Sequence, residues 1–259
     1  MSKMFFMPRR FIPDRRSSKR LFKFFNVLLN TIPMILEVCA FNIQSCLIAD
    51  KAGAARVELC ADPLEGGTTP SYGLIQYALA HTHIPVWPMI RPRGGSYVFD
   101  DAEMAIILKD ILVCRELGCP GIVTGVQLAN GKIDTVQMKH IVDIAYPMMV
   151  SCHKVFDETP DAFEALDGLI EAGCVRVLTS GLQKTALEGA PLLAKLVKHS
   201  AGRITIMPGG TVRSTNIASL ARVTGAQEFH SSGVISRGLV NFSDEAEVRH
   251  MIAALQAIF

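Results

Sequence analysis

The sequence predicts an α/β protein, a single-domain (β/α)8 barrel. Three observations point there. From Met34 onward, short β-rich runs alternate with amphipathic helical stretches eight times, and such alternation in one chain indicates a closed parallel sheet wrapped in helices. Capping residues and prolines stand before the helical stretches, with glycines just after them, where helices start and stop. No G-x-G-x-x-G follows the first strand, which disfavours a doubly wound open sheet.

Taken in order, MILEVC (34–39) precedes a helix over 43–52 that Gly53 ends. RVELC (56–60) precedes 71–82, with Thr69-Pro70 as cap and first helical proline. PVWPMIR (85–91) precedes 101–117, opened by Asp100 and Asp101 and closed by Gly118. GIVTGV (121–126) precedes 134–145, and PMMVSCH (147–153) precedes 160–172, with Thr159-Pro160 at its start and Gly173 past its end. VRVLTS (175–180) precedes 186–199, and RITIMPG (203–209) precedes 213–224, ended by Gly225. QEFHSS (227–232) precedes 243–258, where Ser243, Asp244 and Glu245 suit the positive end of the helix dipole.

The chain has 259 residues, 49% of them apolar, and a net charge of +2. Residues 1–33 carry eight of the 26 basic side chains and only Asp14 of the 24 acidic ones. They read as a basic N-terminal extension, separate from a barrel domain over 34–259. Lys23 interrupts the only apolar stretch there, so no membrane span is expected, and Met34 is the expected natural start. The acidic balance of the remainder gives no sign of a nucleic-acid partner. Seven cysteines, an odd number with no C-x-x-C, read as free thiols of a reduced cytoplasmic protein.

Side chains alternate along a strand. The near-repeat LEVCA (36–40) and VELCA (57–61) places Glu37 with Cys39, and Glu58 with Cys60. Outer strand faces pack on helices and must be apolar, so these four point to the barrel axis, two strands building one polar wall. The same parity turns Met89, Arg91 and Arg93 inward, with Ser151, His153, Thr205, Met207, Glu228 and His230, and sends Cys152 outward. Glu228 begins its strand and lies deeper. Polar residues gather at the C-terminal strand ends, where this fold places its chemistry.

Each cluster carries two readings. Cys39 and Cys60 are soft metal ligands for Cu(I) or zinc, with Met89 as a third donor, or two small buried hydrophobes. Glu37, Glu58 and His153 are acid–base groups, or members of an ion-pair network with Arg91, Arg93 or a histidine. Gly209, Gly210, Ser231 and Ser232 form an anion site with Arg91 and Arg93, or tight turns. Lys154 near Asp157 is a Schiff-base lysine, or both are solvated loop residues. His81, His140, His199, His250 and the other cysteines read as packing or surface groups.

The run LEVCA, GAARVELCADPLEGGTTPSYG, IRPRGG, CHKVFD, RVLTSG, MPGGTV and EFHSSG, over about 34–233, resembles the CutC family of copper-homeostasis proteins. The resemblance implies a cytoplasmic TIM barrel linked to copper, with Cu(I) held by the cysteines of the first two strands, here Cys39 and Cys60. Where the family tends to have Phe-His-Arg-Ala-Phe-Asp, this chain has Cys152-His-Lys-Val-Phe-Asp157. Lysine there replaces a planar bidentate donor by a point charge. Two functions are therefore expected: a Cu(I)-handling protein, or an enzyme acting on a small phosphorylated or carboxylate substrate. No organic cofactor is expected, and self-association into a homo-oligomer stays open.

Overall fold

The computed structural model describes residues 34–235 and 241–258; the expectations for residues 1–33 lie outside them. Eight strands are described: β1 (Ile35–Ala40), β2 (Arg56–Leu59), β3 (Val86–Pro88), β4 (Gly121–Thr124), β5 (Met149–Cys152), β6 (Arg176–Thr179), β7 (Thr205–Pro208) and β8 (Glu228–Ser231). The helices between and after them are α1 (Ile43–Ala52), α2 (Tyr72–His81), α3 (Asp101–Glu116), α4 (Thr135–Ala145), α5 (Ala162–Ala172), α6 (Ala190–Ser200), α7 (Ile217–Thr224) and α8 (Glu245–Gln256). Every pairing between these strands is parallel. One arc runs β3-β2-β1-β8 and the other β4-β5-β6-β7. A parallel bridge, Met89 with Val123, joins β3 to β4, and β7 lies beside β8. The ring is the (β/α)8 barrel that the alternation predicts.

Caps explain where the helices begin. Asn42 accepts from the Ser45 N–H at 2.9 Å ahead of α1, and Asp100 with Glu103 forms a complete capping box on α3. Two expected caps move. Ser71 caps α2, accepting from the Leu74 N–H at 3.2 Å, because the Thr69 hydroxyl instead accepts from the Arg91 N–H. Asp161 caps α5, its Oδ1 accepting from the Phe163 and Glu164 N–H groups. Pro70 and Pro160 therefore stand before the caps. α6 and α7 begin later than expected. Thr185 and Glu188 close a turn on each other ahead of α6, and Asn216 accepts from the Arg213 N–H ahead of α7. The caps lock the entry turns and so fix where each strand end points.

The core divides by strand face. Leu36, Val38, Val57, Leu59, Ile122, Val150, Val177, Ile206 and Phe229 point outward into one continuous layer with the helices. Cys152 joins them, as its parity requires. Each fully buried large side chain there contributes about 1.5–3 kcal/mol. Inside the ring a separate small cluster holds Cys39, Cys60, Trp87, Met89 and Val123. The register sets the polar neighbours: Glu37 lies beside Arg56 on one side and His230 on the other, and Cys39 lies beside Glu58.

Candidate functional site

The barrel interior has a floor and a mouth. At the floor, Glu37 accepts from Arg56 Nε through Oε2 and from His230 Nδ1 at 2.8 Å through Oε1. Glu228 accepts from Arg56 Nη2 at 2.7 Å and from Arg176 Nε at 2.6 Å on one oxygen, and from Arg176 Nη2 at 3.2 Å on the other. Both guanidinium groups lie near the Trp87 ring, 5.2 Å and 4.7 Å from its centroid. Gly121 leaves the indole its room, since a Cβ there would sit 2.6 Å from it. Burial alone would raise the Glu37 pKa, but Arg56 and His230 outweigh it and bring it down to about 2. Glu228 likewise falls below the carboxylate range, Arg176 and Arg56 overcoming burial. Every carboxylate oxygen of the floor has a cationic partner.

Two residues further along β1 and β2 the chain reaches the mouth. Cys39 Sγ and Cys60 Sγ are 4.0 Å apart. A cavity of about 70 Å³ opens beside them, lined by Cys39, Glu58, Met89, Arg91, His153 and His230 among others. Glu58 is 2% exposed. Its Oε2 lies 3.5 Å from His230 Nε2, and its Oε1 has no hydrogen-bond partner among the described residues. Burial raises the Glu58 pKa, and nearby Glu37 adds to this, against the pull of His230. For Cys60, the hydrogen bond from Cys39 favours the thiolate, yet burial and Glu58 push the thiol up to about 11. Cys39, in contact with Cys60 and itself buried, is likewise held well above the ordinary thiol value.

The two histidines of the mouth differ. Burial would discharge His230, but Glu58 and Glu37 flank it and hold its pKa well above the ordinary value. It is an imidazolium wedged between two carboxylates. His153 lies where burial and the Arg91 charge lower its pKa to about 3, so it is neutral. Its Nδ1 accepts from the Val155 N–H at 3.3 Å, which places the proton on Nε2. That buried N–H has no partner among the described residues.

Several expected donors are occupied. Arg91 is buried at the mouth as expected; its Nη groups latch two loops, while its Nε has no partner among the described residues. Nη1 donates to Glu65 O at 2.6 Å and Gly67 O at 3.0 Å, Nη2 donates to Gly95 O at 2.6 Å, and the group lies 4.5 Å from the Tyr97 ring centroid. Arg93 does not face the axis. It pairs with Glu103 on α3 and donates to the Ser96 and Val98 carbonyls. β3 ends at Pro88, so the two-residue alternation does not carry as far as residue 93. The Gly209 N–H donates to Thr179 O, and Gly210 adopts a φ of +103°. Ser231 donates to Val212 O at 2.7 Å and accepts from Arg213 Nη1 at 3.1 Å. Ser232 Oγ accepts from the Val234 N–H at 3.4 Å, and its carbonyl from Ser243 Oγ. Of the expected anion cradle, the Gly209 N–H and the Ser231 hydroxyl are thus engaged within the turns themselves. Asp157 is not solvated: it accepts from the Thr179 and Ser180 hydroxyls and from the Ser180 and Leu182 N–H groups. Lys154 Nζ lies 3.7 Å from it, half-exposed at the cavity rim.

Sequence reasoning missed Arg56, Arg176 and Trp87. The signal was present, since Arg56 shares a face with Glu58 and Cys60, and Trp87 shares one with Met89. The metal-capable groupings among the described residues are Cys39–Glu58–Cys60 and Glu37–Glu58–His230. In the second, Glu37 and His230 already hold each other. No described helix is long and apolar enough to cross a membrane.

The sequence model of the CutC family matches residues 34–235. The CutC family protein of Parabacteroides distasonis is 50% identical over 199 residues, which are 76% of this chain and 82% of that protein. The copper homeostasis protein cutC homolog of Mus musculus is 40% identical over 203 residues, 78% of this chain and 75% of its own. A crystal structure of CutC from Streptococcus agalactiae aligns with a TM-score of 0.73 at 35% identity, covering 77% of this chain and 98% of that one. A phosphoribosylanthranilate isomerase from Thermotoga maritima aligns at 0.59 with 12% identity, over 86% and 99% of the two chains. That last likeness shows the fold alone.

Proposed function

The chain belongs to the CutC family, and we propose that it takes up Cu(I) between Cys39 and Cys60 in a reducing, cytoplasmic compartment. The observation that carries this reading is the 4.0 Å between two inward-facing sulfurs at the barrel mouth. Thiolates select Cu(I) over hard cations. Metal–sulfur bonds of about 2.3 Å would span that gap at an angle of about 120°, an arrangement with room for a third donor. Met89 lines the same cavity and offers a thioether. The seven cysteines are free thiols, which supports the compartment.

Both thiols hold their protons in the absence of metal, so capture of Cu(I) at neutral pH releases protons. The test is anaerobic Cu(I) titration against a competing chelator, comparing the native protein with Cys39→Ser/Cys60→Ser. The double variant should lose affinity by at least about 1000-fold, roughly 4 kcal/mol. Equal affinity would end the copper reading.

A second reading is favoured by the unpartnered His153 Nε2–H and the Lys154 ammonium at the same cavity. They suit a small oxyanion-bearing substrate, with Glu58 and His153 moving protons. It predicts that a small carboxylate or phosphate raises the melting temperature and that Lys154→Met abolishes the rise. A broad panel with no shift would count against it.

A further inference from the structure

We infer that Glu58 completes a three-donor site with Cys39 and Cys60 for a divalent cation, Zn2+ above all, with its fourth position open to the mouth cavity. The inference rests on the thiol pair being a metal site. One carboxylate oxygen and the two sulfurs all lie within 4.8 Å of one another. A tetrahedral zinc with bonds of about 2.0–2.3 Å holds its donors about 3.3–3.8 Å apart. The sulfurs, at 4.0 Å, are already near that spacing, and the carboxylate has about an ångström to travel.

An unpaired carboxylate points to the same ion. Glu58 is buried, and Oε1 has no hydrogen-bond partner among the described residues. A buried polar atom without a partner is costly, and a coordinated cation removes that cost. The other oxygen, Oε2, faces His230 at 3.5 Å, the outer support that orients a ligating carboxylate. All three donors belong to β1, β2 and the residue just past β2, with Cys39 beside Glu58 in register. Rigid strands hold a metal geometry better than loops do.

Donor type separates the divalent from the monovalent ion. Cu(I) is satisfied by soft sulfur donors alone, whereas Zn2+ takes thiolate sulfur and carboxylate oxygen in one site. Cu(I) needs only the sulfurs, while Zn2+ needs the carboxylate as well. Three protein ligands with an open position is the arrangement of a zinc that also binds water, and the cavity of about 70 Å³ beside Cys39 and Glu58 has room for one.

The test uses the full chain, reduced and metal-free, titrated with Zn2+ against a chromophoric chelator and with Co2+ as a spectroscopic probe. The native protein should bind Zn2+ and should show thiolate-to-cobalt charge transfer with the intense visible bands of a tetrahedral ion. Glu58→Gln should weaken Zn2+ by more than about 100-fold, and its loss for Zn2+ should exceed its loss for Cu(I) at least tenfold. Equal losses for the two ions would overturn the inference, as would a native protein that gives no cobalt–thiolate band. That second measurement needs no variant, so it decides the matter even if Glu58→Gln fails to fold. Failure of the copper reading looks different: Cu(I) binding indifferent to Cys39→Ser/Cys60→Ser.

Discussion

The floor and the mouth of this barrel are built from the same strands, two residues apart, and solve opposite problems. β1 contributes Glu37 to the floor and Cys39 to the mouth; β2 contributes Arg56 to the floor and Glu58 to the mouth. At the floor both carboxylates have cationic partners on both oxygens. At the mouth, Glu58 Oε1 and His153 Nε2 have none among the described residues, and Cys39 lines a cavity. A buried charge with a full set of partners is a strut. A buried charge lacking one is a place for a ligand. The difference teaches that inward orientation alone does not mark a ligand site; a buried carboxylate oxygen left without a cation does, whereas Arg176 at the floor, whose Nη1 also lacks a partner among the described residues, is fixed by its bonds to Glu228.

That contrast can be broken first at the floor. Arg56→Ala leaves Glu37 without its arginine and halves the cationic support of Glu228, and removing one partner of a buried pair costs about 3–5 kcal/mol. For a domain of this size that is roughly a 10 °C fall in melting temperature. A fall of only a degree or two would mean that the floor is not a strut.

Acid should produce the next largest effect. Glu37 has a folded pKa of about 2 against 4.5. Its contribution, about 3 kcal/mol, is complete above pH 4.5 and is lost as pH falls toward 2. His153 has a folded pKa of about 3 against 6.5. Its contribution is likewise depressed-type, present above pH 6.5 and lost as pH falls toward 3. Urea unfolding between pH 7 and 4 should therefore show the native protein losing about 1.4 kcal/mol per pH unit more than His153→Gln as pH falls. An unchanged slope would mean that His153 is charged in the folded protein.

Arg91 joins the two regions to the surface, since it latches the loops carrying Glu65, Gly67 and Gly95 over Cys60. Arg91→Ala should raise the alkylation rate of Cys60, which is 1% exposed, by about tenfold, the equivalent of 1.4 kcal/mol of easier opening. Mass-spectrometric footprinting reads it, and a rate equal to the native one would remove Arg91 as the latch.

The smallest effect belongs to Glu58→Gln in the absence of metal. The raised pKa of Glu58 means that its carboxylate is tolerated rather than favoured. Such a group supports stability below pH 4.5 and loses that support as pH rises through its folded value. The variant should therefore differ from the native protein by less than about 1 kcal/mol at pH 5 and be the more stable of the two at pH 8. A large loss at pH 8 would make Glu58 a floor-type strut and erase the contrast.

The strands, the helices and their order were legible in the sequence, because hydrophobic alternation and helix caps are local signals. So was the inward wall of Glu37, Cys39, Glu58 and Cys60, since it depends only on strand parity. Arg93 was misplaced because parity holds only while the backbone stays pleated, and β3 stops at Pro88. Gly209 and Ser231 looked free for a different reason. A free N–H or hydroxyl looks available until the neighbouring chain that bonds it is known, here Thr179, Val212 and Arg213. Asp157 escaped in the same way, its partners Thr179 and Ser180 being more than 20 residues away.

The most direct measurement is X-ray absorption at the copper edge on the protein loaded with one equivalent of Cu(I). The account predicts two sulfur neighbours contributed by Cys39 and Cys60, and their disappearance in the double serine variant. A copper surrounded by nitrogen and oxygen only, or a spectrum that the double variant reproduces, would contradict it.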